Sequence, residues 1–187
     1  MIDEETARQR VVSAADRLFY ARGVHSVGMD AVRAEAGVSL KRMYALFPSK
    51  DELVVAVLAR RSAEWDAGIA AAAAQATTAR ERVLAIFDFL DAWFRTSGFR
   101  GCAFVNAFGE LGATSPQVAE AVRAQKESFR AYVSDQVREA GAPDAVADQI
   151  VLLAEGAQVG AAVLGDPGLA SRARDAAAGL LDAAGVR

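Results

Sequence analysis

Residues 26–50, SVGMDAVRAEAGVSLKRMYALFPSK, contain two short helical patterns separated by a glycine, and that punctuation dictates how the segment folds. The spacing predicts a first helix from Met29 to Ala36, with Met29, Val32 and Ala36 at i, i+3 and i+7 on one apolar side. Gly37 can take a positive φ angle without steric penalty, so the turn falls at Gly37-Val38. Val38 then plugs the gap between the helices, and Ser39 is suited to N-cap the next one. In that second helix Met43 and Phe47 share the i, i+4 face and are expected to be buried. Leu40, Lys41, Arg42, Tyr44 and Ala45 are left for an outside partner. The pattern is a helix-turn-helix, and a short polar helix presented this way suits the major groove of double-stranded DNA.

The whole chain carries a net charge of −3, which fits a DNA binder poorly until it is divided. Residues 1–50 hold eight Lys/Arg against six Asp/Glu, a net of +2. The remaining thirteen basic and eighteen acidic residues give a net of −5. Positive potential therefore concentrates where phosphate would be met, and its modest size argues for a dimer that uses two such heads. Chance asymmetry on a solvated surface is the alternative.

With 187 residues, 53% hydrophobic and 24% charged, the chain can bury a substantial core. Alanine runs such as Ala70 to Ala74 favour helix and β-branched alternation is nearly absent, so the fold class is all-α. No uninterrupted apolar segment reaches the roughly 18 to 20 residues that span a bilayer, and the acidic start MIDEE is unlike a secretory signal. No membrane association is expected, and the cytoplasm is the expected location. The single cysteine, Cys102, cannot form an intrachain disulfide and fits a reducing compartment.

Apolar periodicity and stop signals extend the helical reading along the chain. Helices are expected from about Glu4 to Arg22, Lys50 toward Ala74, Thr78 to Ser97 and Cys102 to Leu111, then from Ser115-Pro116 to Ala140, Asp144 to Leu164 and Gly168 to Ala184. Together with the two of the helix-turn-helix these make nine. No Gly/Ser-rich linker interrupts the fourth helix, and the domain boundary is placed within it, dividing 1–54 from 55–187.

The run YALFPSKDEL, following AGVSLKRM and preceded by QRVVSAADRLFYARG, resembles the N-terminal domain of TetR-family transcriptional regulators. The resemblance covers roughly the first 55 residues, and the rest of the chain matches the family in length and helical pattern. It implies a nine-helix architecture with an N-terminal DNA-binding domain and a C-terminal helical domain for ligand binding and dimerisation. It further implies a homodimer, a palindromic operator, a small-molecule effector and repression released by that effector. By position, Ser39, Leu40, Lys41, Arg42, Tyr44 and Lys50 fall on the DNA-contacting set. Their chemistry suits it: Arg42 can bond a guanine edge, Lys41 and Lys50 can neutralise phosphates, and Leu40 can meet a thymine methyl. Gly28 stands where the family often has Thr or Ser, and Leu46 where His or Tyr is usual.

In the second half of the chain, an apolar or aromatic ligand could be lined by Trp65, Phe87, Trp93, Phe94, Cys102 and Phe129, with Asn106 and Glu110 aiming polar groups inward. Core packing is the alternative for the aromatics, and a solvated or mutually bonded pair for Asn106 and Glu110. Cys102 is either a small buried hydrophobe or a thiolate sensor of electrophiles. Gly156 and Gly160 imply close helix approach, and with Ala173, Ala177, Leu180 and Leu181 they form the candidate dimer interface; intrachain packing is the alternative. An enzyme is the competing class, but His25 is the only histidine, no nucleophile triad or phosphate loop is spaced for work, and no metal or cofactor is expected. A helical ligand-binding module without DNA-regulatory activity is the third class.

Overall fold

The computed structural model describes residues 3–186, and among them the chain forms nine helices and no strand. They are α1 Glu4–Arg22, α2 Met29–Ala36, α3 Leu40–Leu46, α4 Lys50–Ala72, α5 Ala79–Phe94, α6 Ala103–Leu111, α7 Pro116–Glu139, α8 Asp144–Leu164 and α9 Leu169–Ala183. The all-α class and the nine-helix order read from the sequence are therefore present.

Local chemistry sets most of the ends. Asp3 caps α1 by accepting the Thr6 backbone N–H at 2.8 Å, and these bonds hold its carboxyl below the usual carboxylate range. Thr78 and Glu81 form a reciprocal capping box at the start of α5. Gly37 closes α2 in the left-handed region at φ 67°, and Ser39 Oγ accepts the Arg42 N–H at 3.2 Å to open α3.

Two compact units result. The first comprises residues 1–63 together with 103–123, and the second comprises 64–102 together with 124–187. Compactness thus groups α6 with the N-terminal helices, although a boundary at residue 54 assigns it to the other part of the chain.

In the second unit α5, α8 and α9 pack on one another around Val83, Ile86, Phe87, Leu90, Ile150, Ala154, Ala177 and Leu181. Two sequence expectations are corrected here. Ala173, Ala177 and Leu181 are buried within the chain itself, because the apolar stripe of α9 meets its own α5 and α8. Gly160 serves the same contact, since a Cβ there would stand 2.8 Å from Leu169 Cδ1. Gly156 faces open space and Leu180 is half-buried. By length and mean hydropathy, 1.3, α8 is long and apolar enough to cross a membrane. Here its inner face builds the core with α5 and α9, and its outer face leaves Leu152, Val159 and Val163 exposed.

Gly68 permits the closest approach in this unit. A Cβ at that position would lie 2.3 Å from the Phe89 ring, which itself stands edge-on to Trp65 at 5.2 Å. Gly68→Ala should therefore displace Phe89 and destabilise the protein by about 1 to 3 kcal/mol, the usual cost of overpacking. Thermal unfolding followed by tryptophan fluorescence checks this, and the cost of Gly68→Ala should shrink when it is measured in a Phe89→Ala background.

Candidate nucleic-acid interface

The seven-residue α3 is too short to persist alone in water, so its burial pattern decides its existence. Met43 and Phe47 are 0% and 1% exposed and pin one face into the core of the first unit. Leu40 and Tyr44, each 47% exposed, stand on the outer face with the exposed Lys41. Arg8 of α1 lies over the Phe47 ring at 4.5 Å and donates to the Leu46 carbonyl at 3.3 Å, placing a cation at the C-terminal end of α3.

The remaining candidates are held in specific ways. The Ser39 hydroxyl is used by the cap. Arg42 is half-buried, and its Nη2 donates to the Asp3 carbonyl at 2.7 Å, tying α3 to the start of α1. Lys50, at the first turn of α4, has its Nζ 5.9 Å from the centre of the Phe19 ring. Gly28 precedes α2 without a side-chain cap, as its missing hydroxyl requires. The middle of α4 is pinned to α1: Arg60 donates to Ser13 Oγ at 2.5 Å, while Arg61 pairs with Asp16 and lies 4.0 Å over the Tyr20 ring. Asp16 is buried, so this pair neutralises a carboxylate that would otherwise be costly.

The proposed ligand residues divide between the two units. Trp65 is buried and meets Phe129 at 5.4 Å and Trp93 at 5.8 Å, both edge to face. Trp93 and Phe94 each contact Phe99, at 5.0 and 4.7 Å, and Phe87 is fully buried core. The Trp65 indole N–H is buried without a hydrogen-bond partner. Cys102 is buried with Lys126 Nζ 3.4 Å from its sulfur, and the same ammonium is held by the Glu155 carboxylate at 2.8 and 2.9 Å.

Asn106 and Glu110 belong to α6, in the first unit. Asn106 is exposed, and Glu110 bonds the loop between α1 and α2, accepting the backbone N–H groups of Val24 and His25. The expectation that Glu110 aims into a pocket is corrected, because both of its carboxylate oxygens are engaged by that loop. Sequence reasoning missed Phe89, which shares the Trp93 face one turn earlier on α5, and the Lys126 and Glu155 partners of Cys102. The i, i+4 spacing of Phe89 and Trp93 was the available signal for the first. No local spacing announces the other two.

A capped, core-anchored helix presenting Leu40, Lys41 and Tyr44 outward defines a helix-turn-helix DNA-binding regulator. Comparison with known proteins supports this class. The model of the bacterial regulatory proteins of the tetR family matches residues 11–57, and that of the tetracyclin repressor-like C-terminal domain matches residues 79–177. The HTH-type transcriptional activator FasR of Mycolicibacterium smegmatis is 34% identical over 140 residues, which make up 73% of this chain and 61% of FasR. The chain thus spans about three fifths of that relative's length. Among solved structures, the TetR-family regulator SCO4454 of Streptomyces coelicolor is 33% identical with a TM-score of 0.88 over 96% of each chain. The regulator sav143 of Streptomyces avermitilis is 33% identical with a TM-score of 0.84, over 97% of this chain and 99% of that one. The chain belongs to the TetR family of transcriptional regulators, which are DNA-binding regulators and not enzymes.

The interface separates two kinds of substitution. Arg42→Ala should cost about 1 to 3 kcal/mol of binding and relax base preference. It should also loosen the start of α1, whose Asp3 carbonyl loses one of its two donors and keeps the Ala7 N–H. Lys50→Ala should weaken all sequences alike and lower the salt slope by about one. Titrations of a selected and an unrelated duplex at two salt concentrations check both.

Proposed function

We propose that this regulator is a homodimer that occupies a short palindromic operator through residues 39–50 and acts in the cytoplasm. Residues 1–54 serve DNA binding, and 55–187 serve effector binding and dimerisation. The observation that carries the reading is the outward face of α3, with Leu40 and Tyr44 half exposed while Met43 and Phe47 are locked in the core.

The exposed stripe on α8 supports the dimer. Leu152, Gly156, Val159 and Val163 recur at helical spacing, and Leu152 and Val163 are 71% and 76% exposed. Large aliphatic side chains repeated along one helix face call for a partner surface, and a second copy offers the same stripe. The interface read here is the outer face of α8, which includes Gly156 from the residues expected in sequence, whereas Leu180 of α9 packs against the core of its own chain.

The effector is a small apolar or aromatic molecule held by Trp65, Trp93, Phe94 and Phe129, with Phe87 behind them and Cys102 as the remaining candidate. The unpartnered Trp65 N–H gives such a molecule a reason to carry a hydrogen-bond acceptor. Effector binding releases the operator, so the regulator represses. Activation is the second reading, favoured by the activity in the name of FasR.

Selection of random duplex DNA by the purified protein should return an inverted repeat with steep salt dependence, and a reporter carrying that repeat distinguishes repression from activation. Failure of folded, dimeric protein to enrich any sequence would favour a ligand-binding module without DNA-regulatory activity. Val159→Glu should convert the dimer to monomer in sedimentation and lower operator affinity by about tenfold or more, since two linked heads bind far better than one.

A further inference from the structure

Glu110 lies in the last turn of α6, where the helix dipole disfavours a carboxylate. Its position is explained by what it holds. Oε1 accepts the Val24 backbone N–H at 2.9 Å, and Oε2 accepts the His25 backbone N–H at 2.7 Å. The Glu110 backbone carbonyl is 2.9 Å from His25 Nε2, closing a third contact with the same residue. These bonds join residues 85 and 86 positions apart in sequence.

The loop is shaped to receive the carboxylate. Gly23 ends α1 at φ 84°, a conformation open to glycine, and a Cβ there would stand 3.2 Å from Glu110 Oε1 and 3.3 Å from Oε2. The loop is also anchored from below by Val24 and Val27, 5% and 1% exposed. Since α2 begins at Met29 and the Gly37 turn fixes α3 to α2, the position of this loop sets that of the recognition helix.

We infer that Glu110 is a positioning residue for DNA recognition: its carboxylate clamps the α1–α2 loop to α6 and so fixes the helix-turn-helix against the sixth helix. The inference rests on the operator reading above for its effect on affinity, and on hydrogen bonding alone for the clamp. It gives the N-terminal helices a tie that does not run along α4. Base contacts need the recognition helix in register, whereas phosphate attraction tolerates a range of orientations. Loss of the clamp therefore lowers discrimination before it lowers general DNA affinity.

The test uses the full chain and the variants Glu110→Ala, Glu110→Gln and His25→Ala. Hydrogen exchange at the Val24 and His25 amides is measured beside titrations of the selected duplex and an unrelated one. Glu110→Ala should lose protection at those two amides and lower specific affinity about tenfold, the equivalent of one charge-assisted hydrogen bond, with unrelated-duplex affinity changed by less than about twofold. Glu110→Gln keeps one acceptor oxygen and should fall between parent and Glu110→Ala. His25→Ala should retain protection of both amides. Unchanged protection at Val24 and His25 in Glu110→Ala would overturn the clamp. Equal loss of affinity for both duplexes, with exchange raised throughout α1–α3, would overturn the positioning role in favour of a structural one. If the parent enriches no duplex, the operator reading fails, and the exchange measurement decides the clamp by itself.

Discussion

Everything the N-terminal helices present outward depends on burying Met43 and Phe47. A seven-residue helix has too few internal hydrogen bonds to offset the cost of nucleation, so α3 persists because its inner face is embedded and its first turn is capped by Ser39. The same embedding fixes the rotation of α3 about its own axis. With positions 43 and 47 inward, Leu40, Lys41 and Tyr44 have no alternative to the outer face. Packing thus specifies a surface without contributing any atom to it.

Around that anchor, α1 acts as a platform. Arg8 reaches the far end of α3, and Ser13 and Asp16 receive Arg60 and Arg61 of α4. Arginine suits these tasks because its planar guanidinium can stack on an aromatic ring and donate hydrogen bonds together, as Arg8 does on Phe47 and Arg61 on Tyr20. Much of the positive charge in residues 1–50 is therefore structural. Arg17 and Arg33 are likewise paired, with Glu35 and Asp30. Less positive charge is therefore left for phosphate than the net of +2 implies.

What the sequence disclosed was what local chemistry determines. Gly37 and Ser39 are punctuation read within a few residues, and the helices begin and end close to where such signals stand. Periodicity also identified which residues of α9 share a face. It could not say what that face meets, and Ala173, Ala177 and Leu181 turned out to pack inside their own chain. Glu110 shows the same limit from the polar side. Its spacing from Asn106 implied a pair facing a pocket, but its partners are two backbone N–H groups about 85 residues away, which side-chain patterns do not encode. The Cys102, Lys126 and Glu155 grouping is similarly assembled from three separate stretches of chain.

The bond from Arg42 to the Asp3 carbonyl bears on how the amino-terminal end of α1 can be used. It draws the first turn of α1 up to the recognition helix, so any polypeptide fused ahead of Asp3 is delivered beside the surface that must dock. On the proposed mode of binding, an acidic or bulky fusion there would compete with DNA for Lys41 and crowd the groove. It would also weaken the carbonyl contact that holds Arg42 in place. On that reading an amino-terminal affinity handle is itself a perturbation of sequence recognition.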